Sequence, residues 1–204
     1  MIHKYITHRN AYIFGLLGMV FCLSISEYAL SVFQFFMAAN WLLEGNRLKR
    51  AKAIFSNHDA WLLTSLLALG VVGLLYTSNF GYALDDLRIK LPLFLLPFLW
   101  AGYKPLSRKE LQVIFAFFVL GLIISAGFTL KNYHYLPFAD YNNIRSISQF
   151  VSHIRFSLML VLAVFLMPFY YWNEFKKWRL VIVIVTIGFL YTVVVLQSFS
   201  GIMV

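Results

Sequence analysis

The densest run of hydrogen-bonding side chains lies between Lys131 and Arg155. It reads Lys131, Asn132, Tyr133, His134 and Tyr135, then Asn142, Asn143 and Arg145, then Ser152, His153 and Arg155. Amides and hydroxyls beside tyrosine rings suit a sugar, whose hydroxyls need partners and whose faces stack on aromatics. Arginine suits a phosphate, because its planar fork of donors matches two phosphate oxygens. Histidine can act as a base or as a hydrogen-bond donor, which makes His153 a candidate for either. Arg155 lies just inside an apolar run, where a charge is costly unless it faces protein or water. A solvated loop ending in an interfacial arginine would use the same residues.

A second set comprises Asp85, Asp86, Arg88 and Lys90, ahead of the apolar run Leu91–Trp100. In a helix beginning near Ala83, Asp85 would share a face with Arg88, and Asp86 with Lys90. Two readings follow. One is a self-neutralised helix end whose long side chains reach the interface. The other is a cationic lip facing a lipid-linked anion. Pro92 and Pro97 each remove a backbone donor, so this helix is expected to kink. The third set, Gln197 to Gly201, reads as a helix end with a glycine cap. There is no phosphate-binding glycine loop and no zinc-type His/Cys spacing, so neither a metal nor a cofactor is expected. The apolar segments hold no row of acids, which argues against an ion-coupled transporter.

The elements that carry these residues are apolar segments at Ala11–Ser26, Tyr28–Leu43, Ala60–Thr77, Ala83–Tyr103, Leu111–Leu130, Ile154–Trp172 and Leu180–Phe199. The chain of 204 residues is 61% hydrophobic and 12% charged, more apolar surface than a water-soluble domain can hide. The expectation is an all-α, polytopic transmembrane bundle of about seven membrane helices, forming one integral membrane domain over 1–204. The first two segments are short and meet at Ser24–Glu27; basic residues beyond both outer ends favour two passes over a re-entrant pair.

Charge sets the orientation. Lys4 and Arg9, then Arg47, Lys49, Arg50 and Lys52, then Lys104, Arg108 and Lys109, then Lys176, Lys177 and Arg179 fall on one side. Only Arg88, Lys90, Lys131, Arg145 and Arg155 fall on the other. The cation-rich side is cytoplasmic, which places the amino terminus inside. Trp41, Trp61, Trp100, Trp172 and Trp178 all sit at the cytoplasmic ends of segments, and Tyr76, Tyr82, Tyr133, Tyr135 and Tyr141 cluster at the opposite face. Positive-inside loops account for most of the net charge of +9, so nucleic acid is not an expected partner. Cys22, the one cysteine, allows no internal disulfide, and the first apolar run lacks a cleavage site, so it is read as retained. Seven passes would leave the carboxyl terminus outside. The sequence stops there at Val204 with no polar tail, so the chain is expected to be the amino-terminal portion of a longer protein.

In the order of its features the chain resembles the O-antigen ligase and O-antigen polymerase family of bacterial inner-membrane glycosyltransferases. A tight opening pair of helices precedes a basic loop. The stretch GLLYTSNFGYALDDLRIKLPLFLLPF follows, then an outer loop ending SQFVSHIRFSLML, then the closing LQSFSG. In such proteins an outer-loop arginine shortly precedes a helix start. Arg145 fits that arginine, with His153 and Arg155 at the helix start. The family's Ser-Arg-x-Gly element finds Ser198, Phe199, Ser200 and Gly201 here, with phenylalanine in place of arginine.

The resemblance implies transfer of a glycan from undecaprenyl pyrophosphate to an acceptor hydroxyl at the periplasmic face, without a metal. The acceptor is the lipid A–core oligosaccharide for a ligase and a second lipid-linked repeat for a polymerase. Arg145 and Arg155 are the first candidates for pyrophosphate or glycan contacts, Arg88 and Lys90 the second. The family's catalytic base would lie beyond Val204, not at His153. The competing readings are a flippase or transporter for a lipid-linked glycan and a non-catalytic or truncated membrane protein.

Overall fold

The computed structural model describes residues 8–45, 52, 58–101, 103–135, 147–172 and 174–196. Among these it forms seven α-helices and no strand: α1 (His8–Cys22), α2 (Glu27–Leu43), α3 (His58–Gly73), α4 (Phe80–Ala101), α5 (Arg108–Tyr135), α6 (His153–Tyr171) and α7 (Arg179–Val195). A 3-10 turn, Lys176–Trp178, leads into α7.

The all-α expectation holds, but the expectation of about seven membrane helices does not. Among the described residues three helices are long and apolar enough to cross a membrane: Arg108–Tyr135, His153–Tyr171 and Lys176–Val195. At a rise of about 1.5 Å per residue, crossing ~30 Å of hydrocarbon takes about 20 residues. Helices α1, α2 and α3 have 15, 17 and 16 residues. Helix α4 has 22, but Asp85, Asp86, Arg88 and Lys90 fall within any stretch of it long enough to span. Three spans of this kind make the chain a multi-pass membrane protein.

The chain divides into two compact units, with boundaries after Tyr12, Phe33 and Leu106. The first holds the start of α1, the second half of α2, α3 and α4. Asn79 begins α4, its Oδ1 accepting the Tyr82 N–H at 3.2 Å. The helix is continuous through Pro92 and Pro97 to Ala101. At the other end of this unit the buried Asn40 is a hub. Its Oδ1 accepts from His8 Nδ1 at 2.9 Å, and its Nδ2 donates to the His8 carbonyl at 3.0 Å and to Tyr103 Oη at 2.8 Å. Tyr103 stacks on Tyr12 with ring centroids 3.8 Å apart, and Arg9 donates to the Lys104 carbonyl at 2.6 Å. His8 and Tyr103 thus satisfy the polar groups of the buried Asn40, as burial requires.

The second unit holds the rest of α1 and α2 with α5, α6 and α7. Helices α5 to α7 run up, down and up around a core that includes Phe115, Phe118 and Leu122 of α5, Phe156, Leu160 and Met167 of α6, and Ile182, Phe189 and Val193 of α7. The faces turned away from that core are apolar too: Leu120, Ile123, Phe165, Phe169, Ile184, Ile187 and Val194 are exposed. A helix apolar on every side belongs in lipid. Its polar groups must then be satisfied internally. Ser157 donates to the Ile154 carbonyl at 2.9 Å and Thr192 to that of Gly188 at 2.8 Å.

Helix α5 starts on a capping box. Glu110 Oε2 accepts the Ser107 N–H at 2.7 Å, and Ser107 Oγ accepts the Glu110 N–H at 3.3 Å. One turn on, Gln112 Nε2 donates to the Tyr170 carbonyl at 3.0 Å and to Glu174 at 2.5 Å. Tyr171 Oη donates to the Gln112 carbonyl at 2.5 Å, and Arg108 pairs with Glu174 at 3.1 Å. This clamp ties the start of α5 to the end of α6.

Midway along α5 comes Gly121. A Cβ there would stand 2.5 Å from the Phe21 carbonyl oxygen and 3.1 Å from Ser24 Oγ. Only glycine lets the end of α1 approach so closely, the small-residue contact expected between membrane helices. Ser125, one turn further, donates to the Ser24 carbonyl at 2.5 Å.

Gly121→Ala is therefore expected to destabilise the unit by about 1–3 kcal/mol, the usual cost of overpacking against a group that cannot yield. Gly127, on the same helix, has nothing within 4 Å of a built Cβ. Gly127→Ala should leave stability unchanged or raise it by up to ~1 kcal/mol. Thermal unfolding in detergent checks both, and equal shifts in one direction would refute the close-approach account.

Candidate functional site

The candidate site grows from the turn that Gly121 and Ser125 hold. After that turn Ser26 Oγ accepts the Ala29 N–H at 3.2 Å and so caps α2. Glu27 is the first residue of α2, where the positive end of the helix dipole favours a carboxylate.

The approach to α6 is anchored separately. Ile147 and Val151 are buried. Asn132 Nδ2 donates to the Ile147 carbonyl at 3.3 Å, and Phe150 packs edge-on against Phe128 at 5.3 Å. Ser148 donates to the Val151 carbonyl. These contacts fix where α6 begins. His153 is its first residue and is half-buried. Ser152, at the cap position, makes no side-chain cap bond.

Two residues later, Arg155 extends outward and meets Glu27, Nη1 to Oε1, at 3.4 Å. The side chains are 68% and 69% exposed. Both groups are open at the surface of the unit rather than enclosed by its core, at the first turn of α6, the end of the span where a long side chain can reach the interface. A separation of two residues turns about 200° around a helix, so His153 and Arg155 lie on different sides of α6.

The other sequence candidates are placed as follows. Lys90 pairs with Asp86 at 2.5 Å, one helical turn apart, which is the self-neutralised arrangement rather than an open cationic lip. Asp85 is exposed. Arg88 is on α4, and its side chain lies outside the described part. This set belongs to the first unit, and Glu27 and Arg155 to the second. Arg145 lies outside the described residues, as do Asn142, Asn143 and the stretch 197–201. Lys131 and His134 are exposed at the end of α5, while Asn132 is engaged in holding the chain at Ile147.

Sequence reasoning did not single out Glu27. The available signal was its position: it is the first carboxylate in the chain, alone in a short polar break between two apolar runs.

The geometry leaves most of the Arg155 guanidinium donors without an acceptor among the described residues. One guanidinium nitrogen is engaged, at long distance, by a carboxylate that solvent also reaches. The start of α6 adds backbone N–H groups without a side-chain cap. No three His, Cys, Asp or Glu side chains converge among the described residues, so none of them forms a metal-ligand set.

A double-mutant cycle on Glu27→Gln and Arg155→Gln should give a coupling below about 1 kcal/mol in thermal unfolding, vanishing at high salt. A coupling of several kcal/mol would mean a structural clamp instead of an exchangeable pair.

Compared with known proteins, the chain matches no family model, no curated protein and no solved structure.

Proposed function

We propose that this chain is part of a membrane glycosyltransferase of the O-antigen ligase and polymerase kind. It transfers a glycan from undecaprenyl pyrophosphate to an acceptor hydroxyl at the periplasmic face of the bacterial inner membrane, in cell-surface polysaccharide synthesis. The acceptor oxygen attacks the anomeric carbon, the bond from that carbon to the pyrophosphate oxygen breaks, and the hydroxyl proton passes to a base. Undecaprenyl pyrophosphate is the leaving group.

The observation that carries this reading is the exposed Arg155, held loosely by Glu27 at the first turn of a membrane-length helix. A pyrophosphate offers a guanidinium two oxygens and more charge than one solvated carboxylate, so it can displace Glu27. Neutralising the leaving group as its charge grows is a recognised source of rate. The cations flanking the three spans support placing Arg155 on the side away from Arg108, Lys109, Lys176, Lys177 and Arg179. Arg145 is the second phosphate candidate, on sequence grounds. Lys90 ranks lower, since Asp86 already neutralises it. Arg88 ranks with it, and His153 is a hydrogen-bond donor to the glycan.

The test is glycan transfer in membranes carrying the protein, supplied with a lipid-linked glycan donor. Arg155→Ala and Arg145→Ala should each lower transfer by roughly 10²-fold, the scale of losing one charge-stabilising donor, while the protein still inserts. Arg155→Lys should recover only part, because an ammonium lacks the fork. Normal transfer by both alanine variants would overturn the assignment. A purified protein that moves the donor across vesicles but forms no glycosidic bond would replace the transferase by a flippase.

A further inference from the structure

The second unit contains an apolar groove of about 520 Å³ that runs from the middle of α5 to the 3-10 turn before α7. Its walls include Ala116 and Leu120 of α5, Met167 of α6, Trp178 of the 3-10 turn, and Val181 and Val185 of α7. The volume lies within the ~300–1,000 Å³ typical of small-ligand sites. Leu120 and Val181 are also exposed on the outer, lipid-facing surface, so the groove opens toward hydrocarbon.

Cations stand beside the lining in the 3-10 turn. Lys176 and Lys177 sit between Phe175 and Trp178, both of which line the groove. Arg179 follows, its Nε donating to the Trp172 carbonyl at 3.0 Å and its guanidinium 5.1 Å from the Trp172 ring. The nearest acid in sequence, Glu174, is already engaged by Arg108 and Gln112. Among the described residues neither lysine has an ion-pair partner. An apolar slot open to the bilayer, with a tryptophan in its wall and two unneutralised lysines beside that tryptophan in the 3-10 turn, suits a phospholipid with an anionic headgroup. Its acyl chain would fill the slot and its phosphate would meet the lysines.

We infer that the groove between α5, α6 and α7 is a seat for one anionic phospholipid, with Lys176 and Lys177 selecting the headgroup. A basic loop acting only as a topology signal needs no groove and selects no lipid. Occupancy would brace the contact of α6 with α7 from the side the clamp at Gln112 leaves open.

The test uses the full chain, purified in neutral detergent and titrated with phosphatidylglycerol or phosphatidylcholine of identical acyl chains, with bound lipid counted by native mass spectrometry. One phosphatidylglycerol should be retained in preference to phosphatidylcholine. Lys176→Gln and Lys177→Gln should each weaken phosphatidylglycerol about fivefold, the effect of one cation near an anionic surface. Their combination should erase the preference. Ala116→Trp, which fills the slot, should lower retention of both lipids at least tenfold, and Lys104→Gln should change neither. Equal retention of the two lipids by the unaltered protein would overturn the proposal. So would unchanged retention in Ala116→Trp, or a dimer that this substitution dissociates, since the groove would then hold a second copy of the chain. Lys176 and Lys177 are exposed, so their variants keep the test decisive even where the tryptophan prevents folding.

Discussion

The second unit depends on one close approach, that of the Phe21 carbonyl to the Cα of Gly121. A membrane offers helices no hydrophobic driving force toward one another, because lipid tails are as apolar as leucine. Association then rests on contact area and on hydrogen bonds that lipid cannot supply. Gly121 provides the contact by having no side chain. Ser125 provides the bond, to the Ser24 carbonyl left open where α1 ends. Everything beyond that turn follows: the cap at Ser26, the start of α2 at Glu27, and the position of the carboxylate opposite Arg155. The Ser24 hydroxyl itself is buried without a partner among the described residues.

At the opposite end a polar clamp replaces the glycine contact. Gln112, Glu174, Arg108 and Tyr171 satisfy one another and two backbone carbonyls. The two devices divide the work by depth. Charged and amide groups gather where α5 begins and α6 ends, near water. Deeper positions use glycine, serine and threonine, whose hydroxyls return to their own helix or to a neighbour's carbonyl. The same clamp consumes the acid nearest Lys176 and Lys177, which leaves that turn cationic.

Helix content was legible in the sequence because apolar runs separated by polar breaks permit little else. Span length was not, because hydropathy blurs helix ends. Ala60–Thr77 reads as a pass, but the helix stops at Gly73. Ala83–Tyr103 reads as another, yet its four charges, visible in the sequence, leave the helix Phe80–Ala101 no uncharged stretch long enough to span. Asn40 is one polar residue in an apolar run, and its role depends on Tyr103, far along the chain. Arg155 was legible as a cation in an awkward place. Its partner was not, since Glu27 is distant in sequence and no local pattern joins them.

On the proposed reading, the weakness of that pair is what suits it to an exchangeable ligand. Had Arg155 been buried with Glu27, separating them would have exposed an uncompensated charge, a cost of several kcal/mol that any incoming anion would have to meet. The pair stands open at the surface of the unit, so separating it shuts neither group inside the protein. Glu27 still has an effect in the empty state. It holds the guanidinium at the top of α6 and offsets the repulsion between that cation and the positive start of the helix. An anion arriving there meets an oriented donor fork and a helix terminus together, and it displaces only a carboxylate that water readily takes back.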